Sequence, residues 1–317
     1  SAKLKVNDFR FEEGRMGILY ADAKWNDKEG QIDIDATAKD TVSNHVTNTV
    51  TPIETVILGY VSPRKDNIEL NIAAKGTRIE FLKSFCSSFI DNVDAYANGN
   101  IQVAGPLSSI NLTGDVTANG NLHLSPLNTT YRLKDAHIHA VPNEIRLVND
   151  TVYDRDAHLG IVNGTLYHQH LTKLNYDIHV AAHNLLAYDT HSFNNNTFYG
   201  TAYVTGKCDI RGKSGEVTID INATPNHGSQ IVYNVSSPTA ISKQEFIHWN
   251  NRDSLILRAL HPKEKKTEVH NVEIPTDMHI NFLVNVTPEM TLKLLMDPTT
   301  GDYIALNGSG GLRATYY

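Results

Sequence analysis

Ile110-Asn111-Leu112-Thr113-Gly114-Asp115-Val116-Thr117-Ala118-Asn119 alternates without a break, apolar or glycine at one position and polar at the next. Successive side chains of a strand point to opposite faces, so this stretch is a strand with one dry face and one wet face. Leu122 and Leu124 continue the pattern beyond Asn119-Gly120, which reads as a turn. Ile101 and Val103 anticipate it before Gly105-Pro106. The question this stretch poses is what lies against its dry face.

The same alternation runs through most of the chain. Ile32, Ile34, Ala36 and Ala38 alternate with Asp33, Asp35, Thr37 and Lys39, and Ile68, Leu70, Ile72 and Ala74 follow suit. Thr41 to Pro63, with Pro52 inside it, reads as a loop leading into a strand near Thr55 to Tyr60. Asn163-Gly164 reads as a hairpin turn between Leu159, Ile161 and Leu166. The longest run, Phe198 to Arg211, would make a strand of roughly 40 Å at ~3.3 Å per residue, about twice the usual length. Gly212 to Gly215 then reverses the chain into Val217, Ile219, Ile221 and Ala223, an antiparallel ladder.

Two places depart from period 2. Leu82, Phe85, Phe89, Val93 and Tyr96 recur at three and four residues, which predicts a helix from about Arg78 to Asp94 whose apolar stripe covers the sheet or gates a groove. Ser242 with Glu245 forms a capping box for a short helix bearing Phe246, Ile247 and Trp249, and a charged, irregular excursion follows to Pro275. The organisation expected is N-terminal strands in 1–76, the covering helix in 77–97, a central trough in 98–240, the short helix and excursion in 241–276, and C-terminal strands in 277–317. The fold class expected is all-β: an elongated, curved antiparallel sheet with an apolar interior and one or two short helices.

Composition excludes several function classes. A formal charge of -7 and a pI near 6.1 leave no clustered Lys and Arg for a nucleic-acid partner, and Lys263, Lys265 and Lys266 read as a solvated loop. Cys86 and Cys208 fit no metal or redox spacing. No run approaches the ~20 apolar residues of a spanning helix, and no secretory signal opens the chain. Ser1-Ala2 and the plain ending at Tyr316-Tyr317 read as the limits of an excised segment. Asn-x-Ser/Thr triplets from Asn111 to Asn307 follow from Asn and Thr on polar strand faces rather than from glycosylation.

Candidate chemistry is sparse. His137 with His139 and His168 with His170 share strand faces as a metal-binding pair would, but no third ligand is evident. Ser108-Ser109 and Ser236-Ser237 lack the strand, elbow and helix that activate a hydrolase serine. Asp33 with Asp35 and Asp154 with Asp156 resemble the carboxylate pairs of glycosidases, and such pairs are common on solvated strands. Gly308 to Gly311 precedes a strand, so no helix N-terminus follows to cradle phosphate. No catalytic residue, metal or cofactor is expected.

The dry face itself remains. The residues expected to line it are Ile110, Leu112, Val116, Leu122, Leu124, Phe198, Ala202, Val204, Ile210, Val217, Ile219 and Ile221, with Gly114, Gly200 and Gly206 leaving room. An acyl chain of ~16 carbons costs on the order of 10 kcal/mol to hold in water, and a continuous greasy floor removes that cost. Periodicity alone favours an ordinary β-sandwich in which this face meets a second sheet. A secreted glycan-binding or adhesive sandwich is the alternative function. A β-helical polysaccharide enzyme would need parallel coils, which the hairpins contradict.

Tyr199-Gly200-Thr201-Ala202, Gly206, Ile210-Arg211-Gly212, the Asp297-Pro298 turn and Gly308-Ser309-Gly310 resemble the C-terminal region of the TamB family, the translocation and assembly module subunit, in its Bacteroidetes form. Leu112-Thr113-Gly114-Asp115-Val116 and Leu159 to Leu166 fit the same pattern, and the resemblance covers the chain from about Ile79 onward. It implies an AsmA-like periplasmic protein of a Gram-negative bacterium, anchored in the inner membrane, whose strands curl into an aliphatic trough. The implied partners are phospholipid acyl chains and an outer-membrane barrel assembly protein of the TamA or BamA kind. The resemblance brings no catalytic residues.

Overall fold

The computed structural model describes residues 1–12, 14–44, 49–85, 90–170, 172–193, 198–213, 215–235 and 277–316. The period-2 stretches become eighteen strands of a single sheet. In chain order these are β1 (Ala2–Phe11), β2 (Gly14–Asn26), β3 (Gln31–Asn44), β4 (Thr49–Ser62), β5 (Asn67–Arg78), β6 (Ile90–Gly105), β7 (Asn111–Leu124), β8 (Thr129–Val141) and β9 (Glu144–Tyr153). They continue with β10 (Leu159–Gln169), β11 (Thr172–Thr190), β12 (Phe198–Lys213), β13 (Glu216–Pro225), β14 (Gln230–Asn234), β15 (Asp277–Val286), β16 (Thr291–Asp297), β17 (Asp302–Leu306) and β18 (Gly310–Tyr316). A four-residue helix, α1 (Leu82–Phe85), is the one helix among the described residues. The expected all-β, curved antiparallel sheet is what the chain forms.

From β1 to β13 every strand pairs antiparallel with the next. Each strand from β2 to β12 spends both edges on its sequence neighbours, and all of them belong to one sheet, which leaves none to found a second layer. The β-sandwich is therefore not formed among the described residues. Beyond β12 the ladder splits lengthwise: β13 and β14 both pair with β12, at opposite ends of it. β15 then runs parallel to β13 and β16 parallel to β14, and β18 and β17 flank those two antiparallel. The breaks align, and Asn307 ties them, its Nδ2 donating to the carbonyls of Pro288 and Met290 and to Thr291 Oγ1. With three strand pairs collinear, the ladder is roughly fifteen strands deep, about 70 Å along its arc at ~4.8 Å per strand.

Asn119-Gly120 and Asn163-Gly164 are not turns. Both doublets sit inside strands, β7 and β10, opposite a bulge in the neighbouring strand. A bulge opposes two residues to one and strands a backbone N–H. Here the stranded N–H of Asp135 donates to Asn119 Oδ1 and that of Asn149 to Asn163 Oδ1, both at 2.8 Å. The device recurs, with Gly76 N–H on Asn98 Oδ1 at 2.8 Å and Asn184 N–H on Thr205 Oγ1 at 3.0 Å. All four bulged residues, Gly76, Asp135, Asn149 and Asn184, hold φ between 49° and 65°. Each acceptor is followed by glycine; at Gly99 a Cβ would lie 2.2 Å from the Asp115 carbonyl, so only glycine lets the neighbouring strand pass that close. Bulges bend and coil the strands that carry them, which curves a ladder this long.

The helix expected over Arg78 to Asp94 is cut short. β6 begins at Ile90, and Asn92 and Val93 already pair with His123 and Leu122 of β7. The helical spacing of Val93 and Tyr96 is thus outweighed by the cross-strand pairing open to them. Cover over the floor comes from a strap, Ile79 to Leu82: Ile79, Phe81 and Leu82 pack on Val93, Ala95, Ala97, Ala118 and Ala136. The strap is tied on both sides. Ile79 N–H donates to the Ala95 carbonyl at 3.0 Å, while Phe81 meets the Phe11 ring edge-on at 5.3 Å and Glu80 Oε2 accepts from Arg15 N–H.

The loop expected between Thr41 and Pro63 is mostly strand, with Pro52 opposite Thr41 near the end of the β3–β4 hairpin. The capping-box helix at Ser242 to Trp249 and the excursion to Pro275 lie outside the described residues.

Candidate functional site

Registers between strands join the apolar rows end to end. Leu4, Ala21, Ala36, Ile57, Ile72, Ile101, Gly114, Ala140, Ile145, Leu166, Tyr176, Gly212, Val217 and Met278 are successive cross-strand partners from β1 through β15. No member of this row carries a charge. A second row beside it runs from Val6 and Leu19 through Ala38, Thr55, Ala74, Gly99, Val116, Ile138, Leu147, Gly164, Ile178, Ile210 and Ile219 to Ile280. Its single hydroxyl, on Thr55, is absorbed by Thr77 Oγ1 at 2.6 Å. The row on the opposite face runs Lys5, Tyr20, Thr37, Val56, Ala73, Asn100, Asp115, His139, Arg146, Thr165, Asp177 and Arg211, so it is mostly polar and carries five charged or histidine side chains besides Lys5.

The apolar face is the concave one. Tyr131 of β8 packs with Ala182 and Leu185 of β11, across the two strands between, and Leu124, Val152 and Val204 join them. Side chains separated by two strands meet only on the inside of a bend. Tyr131 also donates its hydroxyl to the Leu186 carbonyl at 2.8 Å, and burial pushes its pKa up to about 12.

Most residues expected to line the dry face share this floor. Leu112 pairs with Val103, Val116 with Ile138, Leu122 with Tyr131, and Leu124 with Thr129. Val204 pairs with Leu185, Ala202 with Tyr188, Ile210 with Ile178, and Val217, Ile219 and Ile221 with Met278, Ile280 and Phe282. Ile110 stands just before β7, and Phe198, at the rim, is 37% exposed and tilts against Tyr188. Sequence reasoning did not join these to Ile57, Ile72, Ile101, Ile138 and Ile178. Their signal is the same alternation, but only the registers put them on one floor. Cys208, between Val180 and Ile221, has its thiol raised to about 11 by burial, first, and by the nearby Asp209 and Asp220.

The titratable groups are committed to structure. Asp154, Asp156 and His158 converge closely enough to hold an ion. However, Asp154 Oδ1 accepts the N–H groups of Asp156 and His158, and its Oδ2 accepts Leu186 N–H and lies 3.1 Å from His158 Nδ1. That carboxylate fastens the β9–β10 turn to β11. Asp33 accepts from Gln31 Nε2, and His139 is held by Asp115. Neither His137 with His139 nor His168 with His170 gains a third ligand among the described residues. Ser109 Oγ lies 3.2 Å from His170 Nε2, a contact that sequence reasoning missed.

Residues 150–316, from β9 to the end of β18, match the family model described as TamB C-terminal domain. The chain belongs to the TamB family. No curated protein and no solved structure matches it. The TamB family is associated with the cell envelope and with outer-membrane assembly and lipid transport, and is not known as enzymatic. No helix among the described residues is long and apolar enough to cross a membrane.

Proposed function

We propose that this chain is a stretch of periplasmic lipid conduit that holds phospholipid acyl chains on its concave floor. The observation that carries the reading is the uncharged row from Leu4 to Met278, which lets a hydrocarbon chain slide across strand after strand without meeting a charge. Removing an acyl chain of ~16 carbons from water is worth on the order of 10 kcal/mol, and the floor supplies that environment wherever the Ile79–Leu82 strap and the Tyr131–Leu185 contact do not already cover it. Because the environment repeats, a chain moves without crossing a large barrier, while polar headgroups stay in solvent at the rim. Alanine and glycine in the rows, such as Ala36, Gly114 and Ala140, keep the floor shallow enough for a guest.

On this reading the full-length protein is anchored in the inner membrane of a Gram-negative bacterium and delivers lipid toward the outer membrane. A TamA- or BamA-like barrel protein is the partner through which it supports outer-membrane protein assembly. The residues act by shape and hydrophobicity, and no covalent step is involved. Extraction of the purified protein followed by mass spectrometry tests this: co-purifying phospholipid at a stoichiometric level is expected. Protein that carries no lipid, and takes none up from phosphatidylethanolamine vesicles, would overturn it.

A further inference from the structure

The strands of the ladder are joined alternately at two rims. The first rim carries the β4–β5, β6–β7 and β8–β9 turns, and the second carries the β5–β6, β7–β8 and β9–β10 connections. Both apolar covers over the floor belong to the second. The strap is the β5–β6 connection itself, and its Ile79, Phe81 and Leu82 reach inward over β6, β7 and β8 to pack with Ala95, Ala118 and Ala136. The other cover is a brace: Tyr131, just after the β7–β8 turn, meets Ala182 and Leu185 in the second half of β11, with Leu124 and Val204 against them.

The backbone holds that closure, because Asp189 N–H donates to the Leu127 carbonyl at 3.0 Å and Asn128 Nδ2 donates to the Asp189 carbonyl. Even β10, which lies between, is fitted to it. A Cβ on Gly160 would lie 3.1 Å from Leu185 Cδ2 and 3.2 Å from Val152 Cγ2, so those methyls fill the space its side chain would need. From β6 to β12, then, the half of the floor nearer the second rim is covered strand after strand. Nearer the first rim, Ile72 pairs with Ile101, Val103 with Leu112 and Ile145 with Leu166. These six belong to neither cluster and remain partly exposed. Alternation makes the two halves alike in sequence; packing makes them unlike in the fold. Side chains already packed at interior density leave no room for a hydrocarbon chain, and they offer it no further burial.

We propose that the strap and the Tyr131 brace position the guest, confining acyl chains to the half of the floor nearer the β6–β7 turn. The inference rests on the lipid-carriage reading and adds a sidedness to it. Phe81, Leu82 and Tyr131 are positioning residues, and a lipid that slides along the ladder keeps to one side of it.

The test loads the purified full chain from vesicles of phosphatidylethanolamine and phosphatidylglycerol. A benzophenone photo-crosslinker stands at Val103 or Leu166 in the open half, and at Leu133, packed with the strap's cluster, or Leu124, packed with the brace, in the covered half. Phospholipid adducts from Val103 and Leu166 at least tenfold over those from Leu133 and Leu124 are expected. The double change Phe81→Ser and Leu82→Ser should raise the Leu133 yield severalfold, and Tyr131→Ala the Leu124 yield, with the Val103 yield unchanged and the circular dichroism still that of a β-sheet. Equal yields from the two halves, or covered-half yields unmoved in variants that keep their sheet, would overturn the positioning and leave lipid carriage standing. Should a variant lose its sheet, the comparison of positions in the otherwise unaltered chain decides. No phospholipid adduct at any of the four positions would overturn lipid carriage, and this inference with it.

Discussion

Asn98, Asn119, Asn163 and Thr205 each close a bulge with one side-chain oxygen, so the curvature of the sheet rests on single acceptors. Asn163→Ala leaves the Asn149 N–H to water, and a loss of about 1 kcal/mol is expected in denaturant unfolding, with Asn163→Asp retaining most of the stability. The same chemistry explains why two of these doublets read as turns. Asn-Gly serves a tight hairpin and a bulge acceptor equally well, and only the partner strand tells them apart. On the convex face, His179 is raised above its ordinary pKa, first by its 2.6 Å hydrogen bond to Asp209 and then by charge from Asp177 and Asp209. A raised histidine contributes stability below about pH 6.5 that fades as pH climbs through the shifted value. A proton-NMR titration should place His179 above 6.5, and Asp209→Asn should lower it; a midpoint unmoved by that change would contradict the assignment.

At the scale of elements, strands were legible and interruptions were not. Runs such as Phe198 to Arg211 announce a strand because no residue breaks phase, and β12 spans Phe198–Lys213. The stretch from Leu82 to Tyr96 misleads because a buried strap followed by a strand can reproduce helical spacing by accident. Ile79 is buried against Val93 and Ala95, so Ile79→Ala is expected to cost about 2–4 kcal/mol in equilibrium unfolding. A cost below ~0.5 kcal/mol, the size of an ordinary surface change, would mean that the strap is not seated on the floor. Cys208, with its thiol raised to about 11, should react with iodoacetamide at pH 8 at least tenfold more slowly than the same thiol in urea. Equal rates would place it off the buried floor.

For the whole molecule, the period-2 pattern shows that a dry face exists but not what meets it. A sandwich and an open trough need the same alternation, and the choice lies in strand order: a meander that pairs each strand with its sequence neighbour has no second sheet to offer. The candidate site was legible as a list of apolar residues; its continuity was not, because registers carry it. A ladder about 70 Å along its arc should give solution scattering a radius of gyration clearly above the ~20 Å of a compact chain this long. The most direct measurement is photo-crosslinking in living cells at Leu112 and Ile72 on the floor, against Thr113 and Asn71 on the opposite face. Phospholipid adducts from Leu112 and Ile72 with none from their neighbours are the expected result; adducts absent from the floor, or equal on both faces, would contradict lipid carriage.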